Sequence, residues 1–198
     1  MRKLPKELDN PFDNMVLDIV ESTVDFFYNI GFTPNGVTTL SLLSGLYGVY
    51  KFANHEFYQS ALLHLISYYF DCLDGHLARK YNMISEFGDY YDHTKDWIVA
   101  GLMFYHLGKF YWNVDNNIKY IIPFIVIVIM YGVFHHMGCQ EIYYGQHTTT
   151  TSIFLDSCKA KDKKEAAELL KSSRHLGCGT AVLAITAFIA LADTFHKD

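Results

Sequence analysis

The chain has 198 residues, of which 51% are hydrophobic and 16% aromatic, and its formal net charge is −5. That balance excludes the lysine- and arginine-rich footprint by which proteins hold nucleic acid, so no nucleic-acid partner is expected. The length suits a single domain, and the start M-R-K-L-P-K-E-L-D-N has a basic end with no apolar run behind it, so no secretory signal is expected.

Residues 10–30 predict an amphipathic helix. Asn10 is a fair N-cap and Pro11 suits the first helical position. Polar side chains recur at 18, 21, 22, 25 and 29, with Met15, Val16, Ile19, Val20, Phe26, Phe27 and Ile30 on the other side. Such a helix fits a membrane interface, although its polar face is acidic, and packing against the rest of the protein is an equal reading. The first membrane span is expected at 35–53, where Thr38, Thr39, Ser41, Ser44, Gly45 and Gly48 would let helices approach closely. A second is expected at 57–80, then a short polar loop at 81–87 and a third span at 88–110. The fourth, 118–137, is about 20 residues of apolar sequence and tolerates Pro123.

Residues 139–175 are polar and include a threonine run and a charged stretch, K-A-K-D-K-K-E-A-A-E-L-L-K-S-S-R, expected to form an exposed helix. His135, His136, Glu141 and His147 match no standard metal spacing, and polar packing at a helix end is the reading preferred for them. Cys72, Cys139, Cys158 and Cys178 form no C-x-x-C and no zinc pattern, so all four are expected as thiols. The last span is expected at 176–195. The fold class is therefore all-α: a polytopic membrane helical bundle of five clear spans, with a sixth re-entering element within 139–158 as the alternative, preceded by the amphipathic helix. Basic residues set the orientation. Arg2, Lys3, Lys6, Arg79, Lys80 and the cluster from Lys159 to Arg174 fall on one side, and only Lys51, Lys109 and Lys119 on the other. This puts the start of the chain and the loop between the second and third spans, with the acids beside it, in the cytosol, and the end of the chain outside.

The chemistry is concentrated between positions 71 and 96, which read D-C-L-D-G-H-L-A-R-K-Y-N-M-I-S-E-F-G-D-Y-Y-D-H-T-K-D. Asp71 and Asp74 stand three apart, and Asp92 and Asp96 four apart, so each pair shares a helix face. Four ionisable groups within otherwise apolar helices mark a functional site. Drawn together, such anions repel by roughly 4 kcal/mol per pair at about 4 Å and an effective dielectric near ~20. Either some are protonated or cations sit between them; hard divalent cations would balance the charge, and a pair of such ions suits phosphoryl transfer. Gly75 and Gly88 would let a phosphate approach the backbone, and Arg79 offers a planar bidentate phosphate donor. Asp89 lies on the acidic face outside this spacing and is read as peripheral. His93 and Lys95 stand between the last two acids.

The spacing D-x2-D-G-x2-A-R-x8-G-x3-D-x3-D resembles the signature of the CDP-alcohol phosphatidyltransferases, and all eight fixed positions are present. Chance would produce it on the order of 10⁻¹⁰ times per start position. The resemblance covers residues 71–96 and, more loosely, the stretch from Asn35. It implies that Asp71, Asp74, Asp92 and Asp96 hold two Mg²⁺ or Mn²⁺ ions and that Asp96 is also the general base. It further implies that Gly75, Arg79 and Ser85 contact the CDP part of the donor. The P-N-G-V-T element resembles the family's P-N-x-x-T, which implies that Asn35 and Thr38 help bind the donor's phosphates. The implied reaction is attack by an acceptor alcohol on a CDP-alcohol, typically CDP-diacylglycerol, with release of CMP in phospholipid synthesis. A homodimer in the membrane is implied as well. The D-H-x-x-D form is similar to the choline and ethanolamine phosphotransferase branch, which uses diacylglycerol as the acceptor. A membrane prenyltransferase would share the acids but not the D-G-x2-A-R core, and a non-catalytic scaffold would have no use for the full set of acids.

Overall fold

The structure is a computed structural model and describes residues 2–114, 117–145 and 157–196. Its described residues form seven α-helices: α1 (Pro11–Asn29), α2 (Pro34–Ala53), α3 (Phe57–Lys80), α4 (Glu86–Trp112), α5 (Ile118–Tyr144), α6 (Lys163–Ser173) and α7 (Cys178–His196). A 3-10 turn, Arg174–Leu176, joins the last two. No strand occurs among the described residues, as expected of an all-α fold.

Helix boundaries follow local chemistry. Asn10 Oδ1 accepts from the Phe12 amide at 2.9 Å, so α1 starts on the expected cap. It ends where Gly31 takes φ +90°, a left-handed conformation that glycine adopts without strain, and Phe32 N–H returns to Phe27 O at 3.0 Å. Thr33 caps α2, its hydroxyl accepting from Gly36 N at 3.2 Å, with Pro34 at the first helical position. Asn82 at φ 54° closes α3 in the same left-handed manner as Gly31, with Met83 N–H bonded to Ala78 O at 2.8 Å. Ser85 accepts from Gly88 N at 3.0 Å, which starts α4 two residues ahead of the expected 88. The fourth apolar helix also outruns its expected end at 137 and continues to Tyr144. Its extra turns bury Cys139 and Glu141, so packing overrides a polar local sequence.

Two compact units are present. The first, residues 19–124 and 182–198, contains the stretch from Asp71 to Asp96. Here α2 packs on both α3 and α4. Small residues make that packing close: a Cβ on Gly45 would lie 2.7 Å from Val99 Cγ1, and one on Gly48 would lie 3.3 Å from Leu63 Cβ. Away from the acids the same helices close on an apolar cluster of Val49, Phe52, Phe57, Met103, Leu107, Tyr111, Ile189 and Ala192. The end of α1 is tied to the end of α3. Asp25 accepts from Lys80 and, at 2.7 Å, from Tyr81 Oη, and the Tyr28 and Tyr81 rings stack with centroids 3.6 Å apart. The Lys80 and Tyr81 hydrogen bonds hold the Asp25 carboxyl below its ordinary value, and the same bond pushes the Tyr81 phenol up to about 12.

The second unit, residues 2–18 and 125–181, is centred on Leu4, Leu8, Cys139, Cys158 and Leu170. Cys139 and Cys158 form a disulfide with Cα atoms 5.1 Å apart, which corrects the expectation of four thiols. Their separation of 19 residues matches no motif, and the pairing exists because α5 runs on past 137 to present Cys139. His135 Nδ1 lies 2.9 Å from Ser157 O, His136 Nδ1 lies 3.2 Å from Ser173 Oγ, and Glu141 pairs with Lys3. These three residues are thus engaged in polar packing, while His147, the threonine run and most of the alternative re-entering element lie outside the described residues. Asp162 caps α6, accepting from the amides of Lys164 and Glu165 at 2.8 and 2.9 Å.

Two helical runs are long and apolar enough to cross a membrane by length and composition, α5 and the 34 residues Lys163–His196. The outward side chains of α5 include Tyr120, Ile121, Phe124, Ile127 and Tyr131, all exposed. That surface fits an apolar solvent better than water. The helices α2, α3 and α4 have 20, 24 and 27 residues, adequate to span, but carry more polar and charged residues than α5.

Candidate active site

The four acids project from two helices, Asp71 and Asp74 from α3 and Asp92 and Asp96 from α4. Carboxylate oxygens of Asp71, Asp92 and Asp96 lie within 4.8 Å of one another, the one such acidic, histidine or cysteine group among the described residues. Asp74 sits deeper, 5% exposed, and its Oδ2 accepts a 2.7 Å hydrogen bond from Thr38 Oγ1 on α2. Thr38 therefore bears on the acids themselves.

The residue that sequence reasoning missed is Lys95. Its side chain is 2% exposed and its ammonium lies among the carboxylates, paired with Asp71, with Asp96 Oδ1 at 2.7 Å and with Asp92 Oδ1 at 3.1 Å. It also donates to Ser41 Oγ at 3.3 Å. The sequence did carry a signal, since a lysine three residues after Asp92 in an apolar helix needs an anionic partner to be buried. That it would turn toward three acids on two helices was not readable from spacing.

Electrostatics leave the cluster unbalanced. One ammonium offsets one of the nearby carboxylates, and the remainder repel by roughly 3–4 kcal/mol per pair at an effective dielectric near ~20. Asp92 Oδ1 is buried with no hydrogen-bond donor of good geometry, its contact with Lys95 being an ion pair alone.

The remaining sequence candidates form two groups, one on α3 and one where α2 and α4 begin. Arg79 lies across Gly75, where a Cβ would come within 3.0 Å of its Nη1, so the glycine makes room for the guanidinium. Gly88, Ser85 and Asn35 are neighbours: a Cβ on Gly88 would lie 3.0 Å from Ser85 Oγ and 3.1 Å from Asn35 Oδ1. Asn35 in the first turn of α2 thereby meets the start of α4. His93 is held by its own helix, its Nδ1 2.8 Å from Asp89 O, and neither residue joins the acid cluster.

The sequence profile of CDP-alcohol phosphatidyltransferase matches residues 32–156 of this chain. The chain belongs to that family. The match begins ahead of Thr33, includes the whole acid cluster and extends well past Trp112, beyond the stretch on which the resemblance was drawn. A protein of Aquifex aeolicus (strain VF5), described as uncharacterized, is 28% identical over 116 residues, which is 59% of this chain and 59% of that protein's own length. No solved structure matches the chain.

Proposed function

We propose that this phosphatidyltransferase-family chain is a multi-pass, metal-dependent membrane enzyme that transfers a substituted phosphate from a CDP-alcohol, CDP-diacylglycerol above all, to an acceptor hydroxyl. CMP is the other product. The observation that supports it most is the convergence of Asp71, Asp92 and Asp96, whose carboxylate oxygens lie within 4.8 Å of one another and outnumber the one ammonium among them. These three and Asp74 would hold Mg²⁺ or Mn²⁺, which when bound supply charge neutralisation at the diphosphate and at the leaving CMP. Arg79 binds a phosphate of the donor through its planar fork. Asn35, Ser85 and Gly88 shape the neighbouring wall, with Gly88 keeping it low. Asp96 is the most exposed of the acids, at 56%, and takes the proton of the acceptor hydroxyl. The acceptor oxygen forms a bond to the phosphorus distal to the cytidine, the bond from that phosphorus to the bridging oxygen breaks, and the electron pair leaves with CMP. The site opens to the cytosol, in the inner membrane of a bacterium or an endoplasmic-reticulum-type membrane, and the enzyme works as a homodimer.

The test is CMP release by the purified protein in detergent with Mg²⁺ or Mn²⁺. CDP-diacylglycerol is offered with inositol, serine or glycerol 3-phosphate, and CDP-choline or CDP-ethanolamine with diacylglycerol. One productive pair, silenced by EDTA and by Asp96→Asn in a protein of unchanged helicity, is the expected result. Full activity of Asp96→Asn overturns the proposed base, and absence of CMP with every pair overturns the activity.

A further inference from the structure

The position of Lys95 bears on how many cations the acids hold. Its side chain is 2% exposed, whereas those of Asp71, Asp92 and Asp96 are 27%, 31% and 56% exposed. The lysine therefore enters from the buried face of the cluster and leaves the outer face of the carboxylates open. It is fastened there: Ser41 Oγ accepts from its ammonium at 3.3 Å, and Ser41 Oγ itself donates to Ser67 O at 2.9 Å. Divalent cations sit about 2.0–2.6 Å from carboxylate oxygens. An ammonium 2.7 and 3.1 Å from Asp96 and Asp92, and paired with Asp71 as well, fills the space such an ion would need. Two cations cannot share it.

We infer that Lys95 acts as a fixed cation in place of one metal ion, so that this chain takes a single divalent ion, held by Asp71, Asp92 and Asp96. The inference rests on the metal-dependent reading above. Counting charge does not choose between loadings, because four carboxylates and one ammonium are left one negative with one divalent ion and one positive with two. The buried, three-way seat of the ammonium does choose. Lys95 is thus a positioning residue that sets metal stoichiometry, and it sits one residue before the acid proposed as the base.

The experiment counts Mn²⁺ per chain in purified protein by equilibrium dialysis with elemental analysis, and reads the electron paramagnetic resonance spectrum of the bound ion. The native chain is expected to bind one ion with the six-line signal of isolated Mn²⁺. Lys95→Met is expected to bind two, with a signal broadened by coupling between the ions, and Lys95→Arg, which keeps the charge, to bind one. Melting each variant with Mn²⁺ present confirms that it is folded, and a Lys95→Gln variant stands in if the methionine variant fails to fold. Two ions in the native chain overturn the inference and leave the metal-dependent reading intact. One ion in both native and Lys95→Met or Lys95→Gln proteins overturns the role of Lys95. No bound ion in any of them overturns the metal-dependent reading and this inference with it.

Discussion

In the unit that carries α2, α3 and α4, one buried lysine faces three aspartates. In the unit that carries the start of the chain, most of α5 and α6, Lys3 faces one glutamate, Glu141, whose side chain is 4% exposed. Both are amine–carboxylate contacts with one member buried, Lys95 in the first and Glu141 in the second, and their sums differ. Lys3 and Glu141 cancel, and residues next to them in sequence belong to a disulfide and a leucine cluster. Lys95 and its acids do not cancel, and the surplus negative charge is held in place by helix packing. A balanced buried pair reads as structure, and an unbalanced one as a place kept for something else.

The largest expected effect tests the balanced side. Lys3→Ala leaves Glu141 buried without its cation and should cost about 3 kcal/mol, the low end for breaking a buried pair, because Lys3 keeps some water. Thermal melts should show the loss equally with EDTA or Mn²⁺, and adding Glu141→Leu should recover most of it. A Lys3→Ala loss that Mn²⁺ repairs would erase the contrast. The unbalanced side should respond with the opposite sign. Asp92→Asn removes one of the mutually repelling carboxylates and should stabilise the metal-free protein by about 1–2 kcal/mol while CMP release falls to background. A lower melting temperature for Asp92→Asn in EDTA would mean that the cluster is a structural network of the Lys3–Glu141 kind.

The smallest effect is expected at Asp25, exposed and paired with Lys80 and Tyr81. Its carboxyl lies below the ordinary value of 3.8 because of the Lys80 hydrogen bond. A lowered acid adds stability that is complete above its unfolded value and fades as pH falls through the folded one. Asp25→Asn should therefore melt slightly below the native chain at neutral pH, near the limit of detection, and converge with it below pH 3.8. A large gap at neutral pH would put this exposed pair in the same class as the buried ones.

Much of this was legible in advance where a single helix decides. The boundaries of α2 and α3 follow from apolar runs closed by Ala53 and Lys80, and the acid pairs from spacings of three and four within one helix. What was not legible depends on a partner chosen in space. Cys139 meets Cys158 because α5 continues through a polar sequence whose burial is decided by Leu4, Leu8 and Leu170, residues distant along the chain. Lys95 reads as one more charge in D-H-T-K-D until Ser41 on α2 and Asp71 on α3 close around it. Thr38, expected at the donor's phosphates, also donates to Asp74, a contact set by the packing of α2 on α3 that spacing did not announce.

The seam between α2 and α4 also limits how the sequence can drift. A methyl group on Gly45 would stand 2.7 Å from Val99 Cγ1 and 3.0 Å from Ser67 Oγ, closer than neighbouring atoms tolerate. Gly45 and Val99 are therefore one inherited character written at two positions. Descendants that gain bulk at 45 should be found to have lost it at 99, and a lineage that gains it at 45 alone must displace Val99 or Ser67 on the helices that carry the acids.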